Sequence, residues 1–166
     1  MDASRRRRTD ASFHLVTEGT RGLSLSAEAV CDDSACMVAP AERERTLGRL
    51  RGICLALPDT SERLSHGAPT FFVRDNRAFL MVLTNHHGDG RFAIWCAAPA
   101  GVQGMLVDND AEKFFVPPYV GHRGWLGVRL DRGFDWDELA GIAEDAYAEV
   151  VPPNLVEAAR LSATEG

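Results

Sequence analysis

Lysine is nearly absent: Lys113 is the only one among 166 residues, and the formal net charge is −6. A protein that binds polyanions indiscriminately draws its affinity from excess Lys and Arg displacing counterions. This balance argues against that class while leaving room for a local basic site. No run approaches the roughly 20 apolar residues of a membrane-spanning helix, and 15 Gly with 8 Pro are too few for a collagen-like or low-complexity chain. The four cysteines, Cys31, Cys36, Cys54 and Cys96, form no C-x-x-C pair, so no zinc site is expected. Cys54 and Cys96 fall in apolar periodic segments, where a free thiol behaves as a small hydrophobe, which predicts a reduced, cytoplasmic protein. G-x-S-x-G, G-x-x-x-x-G-K-[ST] and a strand-to-helix G-x-G-x-x-G are all missing. These absences predict a protein without catalytic residues, cofactor or metal. What is present, 45% hydrophobic and 25% charged residues, is the composition of one soluble globular domain.

Residues 1–36 open with Arg5-Arg6-Arg7-Arg8 and continue without sustained apolar periodicity, which predicts a disordered N-terminal extension. Asp10, His14 and Glu18 stand where a twin-arginine export signal needs an apolar core. The run reads either as a nucleic-acid arm or as a solvated tail, and Met37 is a candidate natural start for a domain of residues 37–166. That domain carries 13 basic and 18 acidic residues, with Asp135, Asp137, Glu138, Glu144, Asp145 and Glu149 gathered in one C-terminal segment without Lys or Arg.

Arg43 to Leu57 repeats Leu47, Leu50, Ile53 and Leu57 at helical spacing, predicting an amphipathic helix that Pro58 ends. Phe71 to Arg74 and Arg77 to Leu83 are β-rich runs flanking Asp75-Asn76, which predicts a hairpin with a type I′ turn. In its second strand, strict alternation places Phe79, Met81 and Leu83 on one face and Ala78, Leu80 and Val82 on the other. Arg91 to Cys96 predicts a third strand, Pro99 to Val107 a short helix, and Trp125 to Leu130 a fourth strand. Asp135-Trp136-Asp137-Glu138 reads as a capping box opening a helix on Leu139, Ile142, Ala146, Tyr147 and Val150, stopped by Pro152-Pro153. Asn154 is expected to cap a last helix to Leu161. The order α-β-β-β-α-β-α gives an α+β single domain, with a mainly antiparallel sheet of four strands or slightly more packed with helices.

Two blocks carry a family resemblance: His66-Gly67-Ala68-Pro69-Thr70-Phe71, and Pro117-Pro118-Tyr119-Val120-Gly121-His122-Arg123-Gly124-Trp125, with Asp135-Trp136-Asp137-Glu138-Leu139 following. Over about residues 41–156 the chain resembles the MmcQ/YjbR family of small bacterial proteins. The resemblance implies a CyaY-like (frataxin-like) α+β fold, described as a double-wing DNA-binding architecture, and DNA as partner. It implies no catalytic residues.

The segment from Lys113 to Trp125 collects Lys113, Tyr119, His122, Arg123 and Trp125 beside two glycines. Gly121 and Gly124 allow close backbone approach to an anion, the Arg123 fork suits phosphate, and Tyr119 or Trp125 offers stacking. Read as structure instead, the prolines stiffen a crossing connection, the aromatics pack over a sheet edge and Arg123 pairs with an acid such as Asp131. Arg129 shares the strand face of Trp125, and Arg74 with Arg77 flank the hairpin tip, as candidate phosphate contacts. His66 is a candidate pocket residue or general base; His86-His87 with Asp89 lack a fourth ligand for a metal. Three functions compete: a non-catalytic DNA-binding protein, with regulation as its role; a binder of a small anionic ligand or of a protein through the Gly121–Trp125 loop; and an enzyme using His66 or His122. A continuous positive face favours DNA, whereas an enclosed pocket containing His66, Tyr119 or Arg123 favours a small ligand.

Overall fold

A computed structural model of the chain describes residues 38–153. The arginine run, Cys31, Cys36 and the helix expected after Asn154 lie outside the described residues. The first helix, α1, spans Pro40–Cys54. It begins earlier than periodicity suggests, because proline suits the first turn, where its missing N–H is not needed. Thr46, Leu50 and Cys54 are its buried positions, four residues apart and so on one face. Leu57 lies beyond the helix, in a turn where its carbonyl accepts from Thr60 Oγ1 at 2.8 Å.

Four strands follow: β1 Thr60–Ser65, β2 Ala68–Val73, β3 Arg77–Thr84 and β4 Phe92–Cys96. After α2, Val102–Asn109, come β5 Phe114–Phe115 and β6 Leu126–Arg129, and α3, Trp136–Val150, completes the described fold. The class is α+β as expected, but the sheet has six strands in the order β1-β2-β3-β4-β6-β5, all paired antiparallel. The element order is therefore α-β-β-β-β-α-β-β-α, correcting the shorter series expected. Two strands account for the difference. β1 is an edge strand of sequence Thr-Ser-Glu-Arg-Leu-Ser that packs only one flank and so lacks an apolar signature. β5 has two residues, too few for any periodicity.

Two turns also differ from expectation. His66 and Gly67, with φ of 51° and 79°, make the two-residue link that sets Ser65 opposite Ala68, so His66 is a turn residue. In the next hairpin the left-handed pair is Arg74-Asp75, φ 48° and 59°, one residue before the expected Asp75-Asn76; Asn76 N–H closes that turn on Val73 O at 3.4 Å.

The most consequential difference is a β-bulge. Phe71 pairs with Leu80 while Phe72 pairs with Ala78, so Phe79 is the extra residue on β3. It turns toward α3, where its ring meets Tyr147 edge-on at 5.9 Å, while Ala78, Met81 and Leu83 line the opposite side of the sheet. The expected grouping of Phe79 with Met81 and Leu83 is thereby overturned. On the helix-covered side, Phe71, Val73, Phe79, Leu80, Ile94 and Leu126 are buried against Leu50, Leu139, Ala143 and Ala146. Asp135 caps α3, its carboxylate accepting from Asp137 N at 2.8 Å and Glu138 N at 3.1 Å. Glu138 does not complete the reciprocal box; its carboxylate accepts instead from Lys113 Nζ.

Candidate functional site

The sheet face away from α3 carries Met81, Leu83, Trp95 and Trp125, and three loops rise around it. The first is the His66-Gly67 turn. The second, between β3 and β4, coils through left-handed Asn85, His87, Gly88 and Gly90. Asn85 locks the coil, donating its N–H to Arg91 O at 2.7 Å and accepting from Gly90 N at 2.9 Å on Oδ1. That coil lays the His86 ring edge-on against Trp95, centroids 4.8 Å apart, with the His87 ring 4.2 Å from His86.

The third loop joins β5 to β6. Pro117 anchors it, its carbonyl accepting from Gly121 N at 2.9 Å. At Gly121 a Cβ would fall 2.4 Å from Val116 Cγ1, so a larger residue there would have to displace that side chain. A 3₁₀ turn over Gly121–Arg123 follows, and Gln103 of α2 straps both its ends by donating to Gly121 O at 2.9 Å and Trp125 O at 2.5 Å. Tyr119 stands 71% exposed with φ 66°, its ring 6.3 Å from His86 and 6.1 Å from His87.

Between these loops lies a cleft of about 580 Å³. Its floor is apolar and aromatic, from Ala68, Met81, Leu83, Trp95 and Trp125; its rim is His66, His86, His87, Tyr119 and Arg123. Among the described residues no carboxylate lines it. The His86 pKa is held below its ordinary 6.5, first by burial and then by neighbouring His87, with Asp89 opposing. Its Nε2 is buried and has no hydrogen-bond partner. Three left-handed non-glycine residues, His66, His87 and Tyr119, converge on the rim, a conformation that costs about 1 kcal/mol or more per residue.

The structure brings together His66, Tyr119, Arg123 and Trp125 from the sequence candidates and disperses the others. His122 is exposed and outside the cleft lining. Arg74 faces Asp59 across 3.4 Å, and Lys113 pairs with Glu138. Arg129, not Arg123, takes Asp131, through two hydrogen bonds of 3.1 and 2.5 Å. Arg77 donates Nη1 to Val150 O at 3.2 Å. Arg123 carries no ion pair among the described residues. His86, His87, Trp95, Met81, Leu83 and Ala68 are among the cleft residues that sequence reading does not place; the density of Asn and Gly between 85 and 90 is the one signal of a loop built to hold an unusual backbone. Among the described residues no group of three His, Cys, Asp or Glu side chains is disposed to hold a metal, and no helix is long and apolar enough to cross a membrane.

The YjbR family model matches residues 55–149, which contain all six strands and the three cleft loops, and the chain belongs to this family. No curated protein matches it.

Proposed function

We propose that this YjbR-family protein is a non-catalytic binder of a small organic anion, held in the cleft beneath Tyr119 and Arg123. The observation that carries the reading is the chemistry of the lining: two indoles, a phenol, three imidazoles and one guanidinium without an ion pair, and no carboxylate, on a chain whose net charge is −6. A concave, mainly apolar site with a few convergent polar groups is the usual form of a small-molecule pocket. Duplex DNA, the partner implied by the family resemblance, would use the hairpin tip together with the Gly121–Trp125 loop. At that tip Arg74 already faces Asp59, and the Asp75 carboxylate accepts from Ser61 at 2.5 Å.

The test titrates the full chain with 1-anilinonaphthalene-8-sulfonate, an aromatic ring system with one negative charge, and separately with a mixed-sequence duplex at low and physiological salt. Expected are saturable one-site binding of the dye, weakened about tenfold by Arg123→Ala, as loss of one charge-assisted contact gives, and no duplex binding at physiological salt. Salt-dependent duplex binding with no bound dye would replace this reading with the DNA one.

A further inference from the structure

The cleft does not end at Arg123. A second depression of about 440 Å³ lies beside it, and Ala78, Arg123 and Trp125 are walls of both. The remaining walls of this annex are Asn76, Arg77, Glu149 and Val150. Trp125, Ala78 and Arg123 therefore stand at the boundary of the two compartments. Arg77 spends one donor on Val150 O and retains the rest of a five-donor fork. Both guanidinium groups thus border the annex, while the aromatic rings of Trp95, Trp125 and Tyr119 border the cleft.

We infer that cleft and annex form one bipartite site whose ligand is a nucleoside monophosphate: a flat heteroaromatic ring in the cleft and a single phosphate on Arg77 and Arg123. This rests on the cleft being an anion-binding site and specifies its occupant. Three features select the class. Trp95, Trp125 and Tyr119 line a chamber that suits a flat ring, and stacking is available to every base through its π-face. His66, His86 and His87 line the same chamber and bring hydrogen-bonding imidazole rings to it, which the polar edge of a nucleobase can use and a plain arene cannot. The annex holds two arginines but also Glu149, a net of about one positive charge that attracts a single phosphate and disfavours the further charge of a di- or triphosphate.

The experiment measures binding of AMP, GMP, CMP and UMP to the full chain by calorimetry, with adenosine, inorganic phosphate and ATP alongside. At least one monophosphate is expected to bind ten or more times tighter than its nucleoside and than inorganic phosphate, and AMP tighter than ATP. Arg77→Ala is expected to weaken the monophosphate about tenfold. Glu149→Gln, an isosteric change at an exposed position, is expected to strengthen it several-fold and to narrow the gap to ATP, a gain that misfolding cannot mimic. Dye binding in the cleft with no monophosphate binding at millimolar concentration, or with nucleoside and nucleotide bound equally, overturns the bipartite site and leaves the anion reading standing. Loss of both dye and nucleotide binding overturns the two together.

Discussion

The imidazole of His86 stands edge-on to the indole of Trp95, centroids 4.8 Å apart and planes at 79°, so one wall of the cleft is an aromatic pair built by a loop against a strand. Burial first, and then the neighbouring His87, disfavour the imidazolium and lower the His86 pKa, with Asp89 opposing. The unfolded chain therefore binds more protons than the fold just below pH 6.5, the ordinary value. Stability contributed by neutral His86 is present above that pH and is lost as pH falls toward its depressed folded value. Thermal unfolding of wild type and His86→Gln, compared from pH 7.5 to 5, should show the wild type losing more stability over that interval; parallel curves would contradict the burial argument.

Gly127 makes room for Phe115. A Cβ on Gly127 would lie 2.4 Å from the Phe115 ring, which is itself 8% exposed and has Arg91 stacked 4.3 Å from its centroid. Gly127→Ala should destabilise the fold by about 1–3 kcal/mol, the usual cost of overpacking, read as a lower urea midpoint at unchanged slope. The double variant Gly127→Ala, Phe115→Leu should recover part of that loss.

Cys54 and Cys96 are fully buried, and burial pushes both thiols up to about 12. Neither forms a reactive thiolate at neutral pH. Iodoacetamide followed by peptide mapping should leave both unmodified in the native protein and label both in urea, at the rate of unfolding. Rapid native labelling of Cys54 would contradict the packing of α1 on the sheet.

The helices, the inner strands and the N-cap at Asp135 were legible because each has a periodicity or side-chain pattern of its own. β1 was hidden by its polar edge composition, and β5 by its length. The Phe79 bulge left no trace, since Ala78 to Leu83 is apolar at every position and alternation alone cannot report a skipped pairing. Tyr119, Arg123 and Trp125 stood out through the glycines beside them, and His66 through its Gly67 neighbour. Their convergence with His86, His87 and Trp95 was not legible, because it depends on three loops meeting over one face, set by sheet order and by the coil that turns His86 inward.

The chain has three tryptophans, and the fold distributes them informatively: Trp95 and Trp125 line the cleft, while Trp136 lies elsewhere, under Arg49 at 4.2 Å and against Phe134. The most direct test of the anion-binding cleft is a ¹H–¹⁵N spectrum of the indole N–H groups during titration with 1-anilinonaphthalene-8-sulfonate. The Trp95 and Trp125 signals should move together and saturate while Trp136 stays in place. Movement of Trp136 alone, or of none of the three while the dye is bound, would contradict binding in the cleft.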